Sequence, residues 1–284
     1  GYNLEFQIYT NGSVINEAMG EWDVAITGAA AVYSLANYGC YLLAHQINGA
    51  SCLDIWCRLD DPILDCLDDF DAMAECVRGK SLMTDFGTSA HYTAVGWLQQ
   101  MGLSVNDVTI LSAADKTNIW SSWIAGEADY AMILDPYCFY DPAEYDGARV
   151  ASISSVGLPL NESTIMAPDF YENNPEVAED MIYLLYQATT ALSDPEYALE
   201  AYKSFMEYCG KEIDEEAMKL EIEQKPFYTP ENASDMDLTC FLPGYAEFLS
   251  GIGLIEESKL EQVQNNTSCM QEHFDAAMAR FSES

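Results

Sequence analysis

Three places along the chain set small residues, hydroxyls or a carboxylate where a strand-like run ends. They are Thr27-Gly28-Ala29, Gly87-Thr88-Ser89-Ala90-His91-Tyr92 and Leu134-Asp135-Pro136-Tyr137. First-turn N–H groups of a helix lack intrahelical acceptors, and the macrodipole favours negative charge there. Thr88 and Ser89 could therefore hold the acidic group of a small molecule at a helix start. The same residues would also serve as an ordinary N-cap. Ligands of open α/β sheets sit outside the carboxyl ends of strands, so the three segments could converge on one cleft. Tyr9, Trp56, Tyr92, Trp120 and Tyr137 lie near these ends and could wall a ligand or simply fill the core. Asn11 opens a turn and a helix, and Asn118 stands where a helix cap is expected.

Motifs for covalent chemistry are missing. The chain has no G-x-S-x-G elbow, Walker loop, H-E-x-x-H or G-x-G-x-x-G. The three histidines, 45, 91 and 273, are far apart, so a reactive base would have to be His91, with Cys138 a distant second. Nine cysteines without a C-x-x-C pair do not make a zinc ribbon. They read as free thiols, with a disulfide joining Cys52 or Cys57 to Cys66 or Cys76 as the alternative. Asp60-Asp61 and Asp68-Asp69 read as solvated acids, since the EF-hand pattern is absent. Neither a metal nor a cofactor is expected.

Strands and helices must position these residues. Period-2 or short apolar runs predict strands at Leu4 to Tyr9, Asp23 to Thr27, Tyr41 to Gln46, Leu53 to Arg58, Ser81 to Phe86, Val105 to Leu111 and Tyr130 to Leu134. Helices are expected at Val14 to Met19, Ala29 to Asn37, Ile63 to Val77, Gly87 to Met101 and from Asn118 to Ala125. After Asn174-Pro175 the chain reads as helical, at Glu176 to Leu192, Pro195 to Cys209, Glu215 to Glu223, Pro243 to Gly251 and Glu257 to Phe281. Strand–helix alternation followed by helices is the pattern of an α/β protein with a helical C-terminal part.

Composition narrows the partners. The 284 residues hold 47 Asp plus Glu against 11 Lys plus Arg, a net charge of −36, yet 49% are hydrophobic and 12% aromatic. The chain is therefore no disordered acidic tail. Nucleic acid is excluded, because binding it requires Lys/Arg–phosphate contacts, and an anionic membrane surface is disfavoured for the same reason. No run of 18 apolar residues occurs. Gly1 in place of Met suggests a processed chain, with any export signal or lipid anchor upstream.

The segments also come in a familiar order. Asn16 to Gly28 (NEAMGEWDVAITG), Arg78-Gly79-Lys80, Gly87 to Tyr92, Gly102-Leu103 with Asp107-Val108, Ala125 to Asp129, Asp135-Pro136-Tyr137, and Ala167-Pro168 with Asn174-Pro175-Glu176 follow one another over roughly residues 8–190. This order resembles the substrate-binding proteins of bacterial ABC importers of the aliphatic sulfonate, taurine, nitrate and thiamine-precursor type. The resemblance implies a two-lobed periplasmic-binding-protein-like fold of type II with a ligand cleft between the lobes. It implies that the acidic group is held at Thr88 and Ser89, with Gly28 and Ala29 opposite and Asn11, Asp135 and Tyr137 lining the cleft. That family has a strand and a helix ahead of the position matching Gly1, so contacts from that strand's end fall outside this reading.

The expectation is an extracytoplasmic, monomeric, non-enzymatic solute-binding protein, periplasmic or a cell-surface lipoprotein. It would pass a small neutral, zwitterionic or singly anionic organic molecule to an ABC permease. Lobe 1 is expected at 1–85 with 166–284 and lobe 2 at 86–165. The ligand-binding candidates are Asn11, Thr27, Gly28, Ala29, Thr88, Ser89, His91, Tyr92, Asn118, Asp135 and Tyr137. Asp135 or Glu17 could hold an amine, and Arg58 and Arg149 are the only candidates for an arginine clamp on a carboxylate. The alternatives are an enzyme on the same fold, for pyrimidine- or menaquinone-precursor synthesis with His91 as base, and a sensory or scaffold domain with a degenerate cleft.

Overall fold

The structure is a computed structural model that describes residues 2–212 and 214–282. Its strands are β1 (Val24–Thr27), β2 (Tyr41–Asn48), β3 (Leu53–Arg58), β4 (Ser81–Thr84), β5 (Thr109–Ser112), β6 (Tyr130–Leu134), β7 (Gly147–Ser152) and β8 (Asn161–Met166). They form two sheets. The smaller has the order β1-β8-β2 and is antiparallel throughout. The larger has the order β5-β4-β6-β3-β7, with β4 parallel to β5 and β6, and β3 antiparallel to β6 and β7.

Period-2 geometry explains how the larger sheet is covered on both faces. Leu82, Tyr130 and Met132 point to one side, where Trp97 and Leu98 of the Ser89–Gln100 helix pack. Met83, Ala131 and Ile133 point to the other, against Ile119 and Trp123 of the Lys116–Ile124 helix. The smaller sheet is closed by C-terminal helices. Tyr186 of the Glu176–Leu192 helix donates its hydroxyl to the His45 carbonyl at 2.7 Å, and the His45 ring meets Ser163 of β8 at 2.9 Å. Burial pushes the His45 imidazole down to about 4, so it sits in the core as a neutral ring.

The smaller sheet is built from residues 24–48 with 161–166 and the larger from residues 53–152. The division expected at 85 and 165 would cut the larger sheet, because β3 and β4 pair with β6. β8 pairs instead with β1 and β2. Such pairing joins segments distant in sequence, and no local pattern records it.

Several elements differ from expectation. Leu4 to Tyr9 alternates, but among the described residues it pairs with no strand, and Leu4, Phe6 and Ile8 are exposed. Alternation makes a strand only where a sheet edge accepts it. Here the segment is held by side chains, with Tyr2 donating to Asp180 at 2.6 Å and Tyr208 to the Phe6 carbonyl at 3.4 Å. Val105 to Leu111 opens as a 3₁₀ turn at Val105–Asp107, closed by a Ser104–Asp107 capping box, before β5 begins. Ile63 to Val77 divides into the turn Pro62–Asp65 and the helix Phe70–Val77, which Asp69 caps. Glu257 to Phe281 divides into Glu257–Lys259, Leu260–Ser268 and Gln271–Ser282. β7 (GARVAS) and β8 (NESTIM) carry too many polar residues to stand out in the sequence. Among the described residues no helix is long and apolar enough to cross a membrane.

Candidate ligand cleft

A cavity of about 620 Å³ lies where the strand ends of the two sheets face each other. Thr27, Gly28, Ala29 and Ala30 line it after β1, and Asp85, Thr88 and Ser89 after β4. Leu134 and Asp135 line it at the end of β6. Tyr9, Thr10 and Asn11 line it as well, and Tyr202, Phe205, Met206, Ile222 and Phe227 supply an apolar wall from the C-terminal part. Asn11 caps the Gly12–Glu17 helix and also donates its amide to the Ala114 carbonyl at 3.0 Å. Ser13 donates to the Phe86 carbonyl at 2.8 Å, so this short helix is tied to the segment that follows β4 of the larger sheet.

Two helices start at the cavity. The first-turn N–H groups of Ser89, Ala90 and His91 have no hydrogen-bond partner among the described residues, as helix geometry requires unless something outside supplies one. Ala29 and Ala30 open the Ala31–Tyr38 helix in the same way.

Of the expected residues, Asn11, Thr27, Gly28, Ala29, Thr88, Ser89 and Asp135 line the cavity. His91, Tyr92, Asn118 and Tyr137 do not. Tyr92 is fully buried, donates to the Gly87 carbonyl at 2.9 Å and packs on Tyr33. His91 accepts from the Gly87 N–H at 3.4 Å, and its ring lies tilted against Phe86 with 4.7 Å between centroids. Asn118 is exposed one turn inside a helix that Asp115 caps, its backbone N–H donating to Asp115 at 2.8 Å. Tyr137 lies flat on Trp120, 4.7 Å between ring centroids, on the outer face of the larger sheet. Of the other candidates, Glu17 is exposed outside the cavity. Cys138 is buried, and burial pushes its thiol well up, away from the reactive thiolate. Arg58 lies over Trp123, and Arg149 pairs with Asp54 at 2.5 Å, both away from the cavity.

Sequence reasoning missed the two cations that do line the cavity, Lys116 and Lys225. The Lys225 ammonium meets Asp135 at 2.7 Å, Glu162 at 2.8 Å and Glu221 at 3.1 Å, and Lys116 reaches Asp135 at 3.7 Å. Tyr202 donates to Glu221. Burial opposes the charge on Lys225, but the three carboxylates outweigh it and hold its pKa well above the ordinary value. Burial also opposes the charge on Asp135, and the two lysines overcome it, so its pKa falls. Glu221 goes the other way, raised first by burial and then by the Asp135 charge. Asp135 follows β6 of the larger sheet and Lys116 opens the helix packed on that sheet, whereas Glu162 lies in β8 of the smaller sheet and Glu221 and Lys225 belong to the C-terminal part. The network is therefore a charged bridge across the cleft. Lys225 sits just past the end of the Glu215–Gln224 helix, where the sequence gives no sign of a site.

Known proteins decide the architecture. No family model matches the sequence. The nitrate-binding protein NrtA from Synechocystis superposes with a TM-score of 0.73, covering 95% of this chain and 79% of that one at 13% identity. The aliphatic sulphonate binding protein SsuA from Escherichia coli superposes at 0.67, covering 89% and 79% at 16% identity. The chain has the periplasmic-binding-protein fold. Over 276 residues it is also 27% identical to a Brachyspira hyodysenteriae protein named "Putative ABC transporter periplasmic binding protein", spanning 94% of this chain and 79% of that one. The resemblance seen in the order of the sequence segments thus holds through nearly the whole chain.

Within this periplasmic-binding-protein fold the cleft has an uneven charge balance. Asp85, Asp135, Glu162 and Glu221 line it, against Lys116 and Lys225. The Thr88 hydroxyl, expected to face a ligand's acidic group, donates instead to the Asp85 carboxylate. Burial pushes Asp85 up from 3.8 to about 6, the Thr88 hydrogen bond pulls against that, and the Asp115 charge adds to it. The helix start that resembles an anion site therefore has a carboxylate directly in front of it.

Proposed function

We propose that this chain is the solute-binding component of an ABC importer, holding one small organic molecule in the cleft and presenting it to the permease as a monomer. The observation that carries this is the 620 Å³ cavity bounded by helix starts from both lobes and bridged by side chains of each. A site built from two hinged bodies can close around a ligand and signal its presence by shape. The protein is extracytoplasmic, as are the periplasmic proteins it resembles. Binding rather than turnover is favoured because His91 is packed outside the cavity and the Cys138 thiol is held neutral. The molecule carries at most one negative charge, since Lys116 and Lys225, which line the cavity, are already paired.

Calorimetry and thermal melting against sulfonates, amino acids and amines test the proposal. A ligand present at a hundred times its Kd stabilises the folded state by about 2.7 kcal/mol, which a melting curve resolves easily. The expected outcome is one chemical class with saturable binding and no product. Tight binding of a multiply charged anion, or conversion of the bound compound, would contradict it.

A further inference from the structure

Asp85 is a charge that the fold leaves unpaired. It directly follows β4, lines the cavity and is only 4% exposed. Its Oδ1 accepts the Thr88 hydroxyl, and among the described residues no donor reaches its Oδ2. No Lys or Arg of the described residues pairs with it, and the charge that acts on it is another carboxylate, Asp115. Asp85 is not a helix cap either. Thr88 occupies the cap position, and the hydrogen bond to Asp85 comes from a hydroxyl rather than a backbone N–H. A buried carboxylate that served only the fold would be paired, because leaving an ion unpaired in low dielectric is costly. A second group in the same cavity is also uncommitted. The Tyr9 hydroxyl is buried without a partner.

We propose that Asp85 recognises a protonated amine on the bound molecule, with the amine nitrogen against Oδ2 and an apolar body against Tyr202, Phe205 and Phe227. This rests on the solute-binding reading above and narrows it to amines and amino acids. Lys116 and Lys225 do not compete for Asp85, because Asp135, Glu162 and Glu221 hold them. A sulfonate or nitrate placed at the same helix start would meet the Asp85 charge instead of a free hydroxyl.

The test uses two matched sets of compounds, on propyl and 2-phenylethyl bodies, each as amine, amino acid, carboxylate and sulfonate. Binding to the intact chain is read by calorimetry. In at least one set the amine or the amino acid should bind, and its carboxylate and sulfonate counterparts should bind at least about 30-fold more weakly. Asp85→Asn should weaken the amine-bearing compound by a similar factor while raising the melting point of the free protein, which a purely structural Asp85 would not do. If Asp85→Asn fails to fold, the comparison within each set on the wild-type chain still decides. Equal or tighter binding of the carboxylate or sulfonate overturns the amine assignment and leaves the solute-binding reading standing. So does an Asp85→Asn variant whose amine affinity stays within about threefold. Absence of binding by every member of both sets overturns both.

Discussion

Residues in this cleft are distinguished by their partners rather than by their type. Asp135 and Asp85 both directly follow parallel strands of the larger sheet, yet one is saturated by two lysines and the other has no cation among the described residues. Two predictions belong at this scale. Lys225→Met would leave Asp135, Glu162 and Glu221 facing only Lys116, and breaking a buried pair of this kind costs about 3–5 kcal/mol. Urea unfolding near neutral pH should show that loss. Acidification should return part of it as Glu221, already shifted upward, takes a proton. Asp85 gives the opposite pH signature to a paired carboxylate. Its pKa is higher folded, about 6, than the ordinary 3.8, so the native state holds its proton more tightly. Its contribution to stability therefore falls as pH rises from 3.8 to about 6 and stays low above that range. Asp85→Asn should flatten this part of the stability–pH curve, measured by unfolding at several pH values against the wild type.

At the scale of elements, the cleft depends on the close approach of the Gly12–Glu17 helix to the start of the Ala31–Tyr38 helix. A Cβ on Gly12 would lie 2.5 Å from the Ala30 Cβ and 2.7 Å from the Thr27 hydroxyl. Gly12→Ala should therefore destabilise by about 1–3 kcal/mol, the cost of overpacking. It should also weaken ligand binding, since Thr27 and Ala30 both line the cavity. Gly244 provides the control. It lies within the Leu242–Gly251 helix with nothing within 4 Å of its would-be Cβ, so Gly244→Ala should stabilise by about 0.5–1 kcal/mol. Denaturant midpoints of the two variants should move in opposite directions.

For the whole molecule, 36 excess negative charges on a chain of this size act against compaction. Raising ionic strength to the physiological range, where the Debye length is about 8 Å, should raise the melting temperature. Exposed acids repel one another less under those conditions, whereas the buried bridge at Lys225 is hardly screened. A melting temperature that fell with added salt would show that exposed ion pairs, such as Lys203 with Glu215, outweigh the net repulsion. The same surplus biases the cleft toward ligands with a positive group, adding a long-range term to the local charge of Asp85.

The sequence by itself determined the class and much of the element order, because apolar periodicity and helix caps are local and act through the residues that carry them. It marked Thr27 to Ala29, Thr88, Ser89 and Asp135 because small and hydroxyl residues at strand ends have a local signature. It misplaced Leu4 to Tyr9 because a strand exists only if another strand accepts its hydrogen bonds. It set a boundary at 85, inside the larger sheet, because β3 reaches β6 and β7 across a long stretch of chain that leaves no local pattern. Only the tertiary structure decided that Lys225 crosses the cleft to Asp135 and that Thr88 turns its hydroxyl to Asp85. Pairing of charges depends on distances between segments far apart in the chain, and in this cleft that pairing is what separates a committed carboxylate from an available one.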